Sequence, residues 1–350
     1  MSSTTPWRGP VPGASSMPYN PQAEYDNGFR GVYYDDAAAQ RLTQLILSHG
    51  QAPDAASACR QYGLSGSGAG QLSMPFRIIE TVFPGSLPAS AQDRGDCVSH
   101  STRNAVLGSL ACEIASGRPD EVTGEIEGPP NISEAGRLDG VLSTEAIYWW
   151  RGHGGDGWTC DHAAEVCMRE SGMWLRKDYP ELGIDLTRYS GSLAGKWGRR
   201  NPPAEIKAVG QDHLVRTTTR ARSFEEVRDL LHNGYCISSC GGESFSATRD
   251  ANGVSSRTRG GWAHAMAYLG VDDREETHRM YGGPLVHVQN SWGPRWGSGG
   301  RQVHGTDVEI PLGGFWARWA DIKNRYAIAF SGLDGWPPQK FDRWFPEGLF

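Results

Sequence analysis

The chain has 350 residues, a formal net charge of −6 and 38% hydrophobic residues, enough for one large domain or two ordinary ones. The charge is spread along the chain, which leaves no basic footprint for nucleic acid and no case for a membrane surface. No stretch approaches the about 20 apolar residues that span a bilayer, and the start, Met1 to Arg8, lacks the basic end and apolar run of a secretory signal.

Residues 1 to about 30 are rich in Pro, Gly, Ser and Asn and read as an extended arm. Asp35-Asp36 opens a helix over 37–48 with Leu42, Leu45 and Ile46 on one face, and a second short helix follows over 54–61. Residues 63–70 alternate Gly with Ser and Ala and read as a flexible connector. From Gln71 short apolar runs alternate with turns. Helices are predicted over 99–115, 143–150, 163–171 and 223–232, the last with Phe224, Val227, Leu230 and Leu231 inward. Strands are predicted over 236–239, 265–271, 285–289 and 326–330. Helices first and strands second predicts an α+β fold, with two lobes sharing a cleft. The predicted organisation is an N-terminal arm with short helices over 1–70, a main domain over 71–331 and an aromatic, Pro-rich tail over 332–350.

The seven cysteines are Cys59, Cys97, Cys112, Cys160, Cys167, Cys236 and Cys240. The odd count and scattered spacing suggest a reduced compartment with a thiol kept for chemistry. Cys236-x-x-x-Cys240 has the form of half a zinc site, but no second close Cys/His pair completes it, so no metal is expected. Cys112, Cys160 and Cys167 read as structural. The basic runs Arg199-Arg200 and 216–222 read as solvated faces.

Three segments carry chemistry. In Gln92-Asp93-Arg94-Gly95-Asp96-Cys97, the thiol stands at the start of the predicted long helix, where the helix dipole and free N–H groups favour thiolate. Asp96 beside it opposes thiolate. Gln92 could donate to a developing oxyanion. In Gly260-Gly261-Trp262-Ala263-His264-Ala265, a histidine stands at the mouth of an apolar strand. In Asn290-Ser291-Trp292-Gly293, an amide ends a strand. Its side-chain carbonyl can hold one imidazole nitrogen so that the other faces the thiol, with Trp292 sheltering that bond.

These residues resemble the papain-like cysteine peptidases. The order Cys, His, Asn matches, and Asn290-Ser291-Trp292-Gly293-x-x-Trp296-Gly297-x-x-Gly300 is a specific signature. Ser143-Thr144-Glu145, Gly154-Gly155-Asp156-Gly157-Trp158 and Tyr179-Pro180 extend the likeness to most of 72–331. The resemblance implies a helical left lobe, an antiparallel, barrel-like right lobe and a polypeptide substrate cleaved without a cofactor. It implies that Cys97 is the nucleophile, His264 the base and Asn290 its orienter. Gln92 and the Cys97 N–H would form the oxyanion hole, and Gly154 and Gly155 would bind substrate main chain.

The nucleophile segment departs from the family pattern, because Gln92 lies one residue too close to Cys97. A rival register aligns Arg94-Gly95-Asp96-Cys97-Val98-Ser99-His100 with the family motif and puts His100 in the nucleophile position, which is a dead enzyme. The disulfides and the long helical inhibitory segment of secreted members have no obvious counterpart in the sequence, although residues 1–70 could still cover the cleft as a pro-like segment rather than serve as a docking arm. A cytoplasmic or virion location is therefore expected. The alternative function is a non-catalytic component of a larger assembly such as a phage particle, docked through 1–70 and the tail.

Overall fold

The computed structural model of the chain describes residues 31–87, 91–115, 141–169, 172–200, 204–211 and 213–331. The expected arm over 1–30 and the tail over 332–350 lie outside them.

Helix α1 (Asp36–Ser48) starts where the Asp35 carboxylate accepts the N–H groups of Ala37 and Ala38. Helix α2 (Ala55–Gln61) starts the same way, with Asp54 capping Ser57. Leu42, Ile46 and Cys59 are buried, so both helices pack on the body of the protein. The segment 63–70, expected as a flexible connector, is a held turn. The N–H groups of Gly66 and Gly68 donate to the Asp229 carboxylate at 2.6 and 3.2 Å. Gly/Ser composition describes a chain without partners; Asp229 supplies one.

Helical elements continue with α3 (Pro75–Val82), α4 (Cys97–Ala115), α5 (Glu145–Tyr148), α6 (Cys160–Arg169), α7 (Gly191–Trp197) and α8 (Ala204–Gln211). A short strand β1 (Leu72–Ser73) precedes α3, and β2 (Asp178–Tyr179) pairs with β3 (Ile184–Asp185). The second half holds β4 (Thr218–Ala221), α9 (Phe224–His232), β5 (Ile237–Arg249), β6 (Ser255–Asp272), α10 (Glu275–Tyr281) and β7 (Leu285–Gln289). After them come β8 (Ser298–Gly299), β9 (Gly314–Arg318), α11 (Trp319–Ile322) and β10 (Tyr326–Phe330). The main path of the sheet runs β4-β10-β5-β6-β7-β9, antiparallel throughout. This is the α+β division the sequence predicts.

Helix α4 sits between the halves, against α3, α5 and α6 on one side and β5, β6 and β10 on the other. It is buried from Cys97 to Glu113, and small residues let it approach the sheet. A Cβ on Gly108 would lie 2.5 Å from Cys236 Sγ. The Ser101 and Ser238 hydroxyls are 2.7 Å apart, and Ser109 Oγ donates to the Phe330 carbonyl at 2.8 Å. These bonds fix where Cys97, at the helix start, stands relative to the sheet.

Three expectations need correction. The sequence suggested no disulfide, but Cys160 at the start of α6 is bonded to Cys240 of β5, with Cα atoms 6.8 Å apart. The two lie 80 residues apart in sequence, and only the packing of α6 on the sheet brings them together. The basic run 216–222 is not simply a solvated face, because its centre is strand β4. There Arg220 pairs with Asp161 at 2.6 Å and lies over the Tyr326 ring. The strands predicted over 236–239 and 265–271 form one long hairpin, since the Gly pairs near 241 and 260 mark β-bulges rather than strand ends.

Among the described residues no helix is long and apolar enough to cross a membrane, and no group of three or more His, Cys, Asp and Glu could hold a metal ion.

Candidate active site

Strand β6 carries His264, with Gly241 of β5 opposite it. Asn290 directly follows β7. Their side chains meet, with His264 Nε2 2.8 Å from Asn290 Oδ1. The Ser291 backbone N–H donates to the same Oδ1 at 2.8 Å. A backbone donor requires an acceptor there, so that atom is the amide oxygen and the imidazole carries its proton on Nε2. Nδ1 is then the basic nitrogen. The Trp292 ring stacks on the imidazole at 4.7 Å between centroids, inclined by 28°. Trp262 and Trp296 pack edge-on against Trp292. The ring of His264 is thus held at one edge and on one face.

Cys97 begins α4, and the backbone N–H groups of Ala265 and Val98 are directed at its sulfur. The thiol therefore lies against the residue that follows His264. His100, the residue of the rival register, lies one turn further along α4. Its ring packs on Tyr189, and its Nε2 is 3.6 Å from Asp96 Oδ2. Neither ring nitrogen of His100 has a hydrogen bond. Asp96 accepts the Tyr189 hydroxyl at 2.8 Å.

Gln92 is close to these groups but is already engaged. Its carboxamide oxygen accepts the Ser291 hydroxyl, its backbone N–H donates to the Ser291 carbonyl at 2.8 Å, and its carboxamide nitrogen donates to the Arg94 carbonyl at 2.8 Å. One amide proton remains. The turn of Gly154 and Gly155 is partly exposed and is tied to the loop before Cys97 by the Gly157 N–H, which donates to the Gly95 carbonyl at 3.1 Å.

The sequence left open whether the N-terminal part covers the cleft or docks elsewhere, and the structure places 31–34 against the thiol. The Gly31 carbonyl accepts from Cys97 Sγ at 3.7 Å and also from the Trp158 N–H at 3.1 Å. The Tyr33 N–H donates to the Trp158 carbonyl at 3.2 Å, so 31–33 runs parallel to the strand-like backbone at Trp158. The Tyr33 hydroxyl is 3.0 Å from His153 Nε2, and the Tyr34 hydroxyl donates to the Cys240 carbonyl at 3.4 Å. Under this cover Cys97 is 1% exposed and His264 3%. Burial pushes the Cys97 thiol up to about 12 and the His264 imidazole down to about 3. Both charged forms are penalised, so the covered pair is neutral.

No protein-family model and no curated protein sequence matches the chain. Solved structures do resemble it. Xylellain, a cysteine protease from Xylella fastidiosa, is 14% identical with a TM-score of 0.43 over 73% of this chain and 88% of its own. Digestive procathepsin L 3 of Tenebrio molitor larval midgut is 14% identical with a TM-score of 0.42, over 76% and 72%. The bromelain protease from Ananas comosus is 14% identical with a TM-score of 0.41, over 71% and 95%.

Proposed function

We propose that the chain is a cysteine peptidase that hydrolyses peptide or isopeptide bonds through a thioester on Cys97. The observation that carries this reading is the doubly held ring of His264, bonded to Asn290 at 2.8 Å and stacked on Trp292, with the next residue's N–H aimed at the Cys97 sulfur. In the reaction, His264 Nδ1 takes the thiol proton and the sulfur attacks the substrate carbonyl carbon. The carbon–nitrogen bond then breaks, and the proton passes to the leaving amine. Water, activated by the same nitrogen, releases the acid and restores the thiol. Asn290 keeps Nδ1 toward the sulfur. The remaining Gln92 amide proton and the backbone N–H of Cys97 stabilise the oxyanion. Gly154 and Gly155 offer backbone to the substrate chain.

The test is turnover of a mixed peptide library, together with labelling by a thiol-directed epoxide, for wild type and Cys97→Ala. The expected result is cleavage and labelling at Cys97 in wild type, with a loss of about 10³-fold or more in the variant. Equal turnover, or a wild-type protein left unlabelled at Cys97, overturns the reading. One observation favours the second reading, a non-catalytic module in a larger assembly: the Gly31 carbonyl already occupies the approach to the thiol. That reading expects no turnover in either protein, even after the cover is removed.

A further inference from the structure

We propose that Arg325 is a positioning residue for His264, bracing its backbone while Glu243 balances the charge. The inference rests on the reading of Cys97 and His264 as a working thiol–imidazole pair.

The Arg325 side chain is 0% exposed. A buried guanidinium is costly unless its donors are paired. Here every nitrogen is used. Nη2 donates to the His264 carbonyl at 2.7 Å and to the Ser239 carbonyl at 3.3 Å. Nε donates to Ser239 Oγ at 3.3 Å, and Nη1 to Glu243 Oε2 at 3.2 Å. The shortest of these bonds goes to the main chain of the histidine itself.

The fold makes room for this arrangement. Gly241 stands opposite His264, where the register shifts between Gly241 and Glu243. A Cβ on Gly241 would lie 2.5 Å from Glu243 Oε2 and 2.7 Å from Arg325 Cγ. The bulge and its glycine thus admit an ion pair beside the strand that carries the base.

The cation also acts through space. It favours thiolate at Cys97 and opposes imidazolium at His264, while Glu243 offsets it. The other charged or titratable groups facing the pair are Asp96 beside Cys97 and His100 on α4. Tyr268 of β6 and Tyr34 of the covering segment also feel Arg325 and Glu243.

The experiment compares full-length wild type, Arg325→Met, Arg325→Lys and Glu243→Gln. It follows kcat/KM on a cleaved library peptide, and iodoacetamide alkylation of Cys97, as functions of pH. Arg325→Met is expected to move both limbs of the rate profile to higher pH, by on the order of half a unit or more. Its kcat is expected to fall about tenfold with little change in KM. Arg325→Lys should keep the limbs near wild type while losing part of kcat. Glu243→Gln should move both limbs to lower pH. A merely structural ion pair would lower stability without shifting either limb. Unshifted limbs in folded Arg325→Met overturn the inference, and so does an unshifted profile in Glu243→Gln should the Met variant not fold. A wild type that neither turns over nor is alkylated at Cys97 overturns the underlying peptidase reading instead.

Discussion

At the residue scale, the motif around Asn290 is the most legible part of the site. An amide at a strand end, followed two residues on by a tryptophan, points to an imidazole that needs an acceptor and a cover, and His264 receives both. Less legible were the partners that come from far along the chain. Gln92 is tied to Ser291 across 199 positions, Arg325 reaches the His264 carbonyl across 61, and Gly31 meets Cys97 across 66. No local pattern encodes such separations. The orienting bond has a direct consequence. In Asn290→Ala the ring keeps its stacking on Trp292 but loses the bond that selects the Nε2 proton and the ring angle. The expected effect is a fall in kcat of about 10²-fold with KM nearly unchanged. Steady-state kinetics on one peptide checks it, and a change confined to KM would contradict the role.

At the element scale, helices with caps and clear faces were legible, and breaks marked by glycine were misread. The Asp35, Asp54 and Ser223 caps stand where the sequence put helix starts. The β5–β6 hairpin was underestimated because its glycines serve bulges, and β4 was hidden because Thr218-Thr219-Arg220-Ala221 sits in a basic run with little apolar signal. The segment at 31–34 was hidden for another reason: its pairing with Trp158 is made of backbone bonds, which any sequence can form. That segment shields the thiol. A chain beginning at Asp35 keeps the cap of α1 and loses the cover. Desolvation is the main cause of the raised Cys97 pKa, so exposure brings the thiol down. The expected outcome is alkylation of Cys97 by iodoacetamide at pH 7.5 about tenfold faster or more than in the full chain. Equal rates would show that the segment leaves the approach open.

At the scale of the whole molecule, the division into a helical half and an antiparallel sheet followed from element order, whereas the close packing of α4 between them is a property of the fold. The fold as a whole buries groups that water would ionise, and this sets a pH window for stability. His264 and His287 are held down to about 3, and His232 to about 4, chiefly by desolvation. Below the ordinary histidine value of 6.5 the unfolded chain takes up these protons and the native protein does not, so stability is lost as pH falls from 6.5 toward 4. The thiols act on the other side. Cys59, Cys97 and Cys167 are pushed up to about 12 from 9.0. Above pH 9 the unfolded chain releases these protons and the native protein retains them, so stability falls as pH rises. The expected melting temperature is flat between about pH 6.5 and 9 and declines on both sides, as read by calorimetry from pH 4 to 10. His287 has no hydrogen bond and is packed between Phe76 and Trp316. His287→Gln therefore removes one titrating group from the acid side and makes the decline below pH 6.5 shallower, leaving the alkaline side unchanged. A melting temperature constant from pH 6.5 to 4.5 in wild type would show that the buried imidazoles are protonated in the native state.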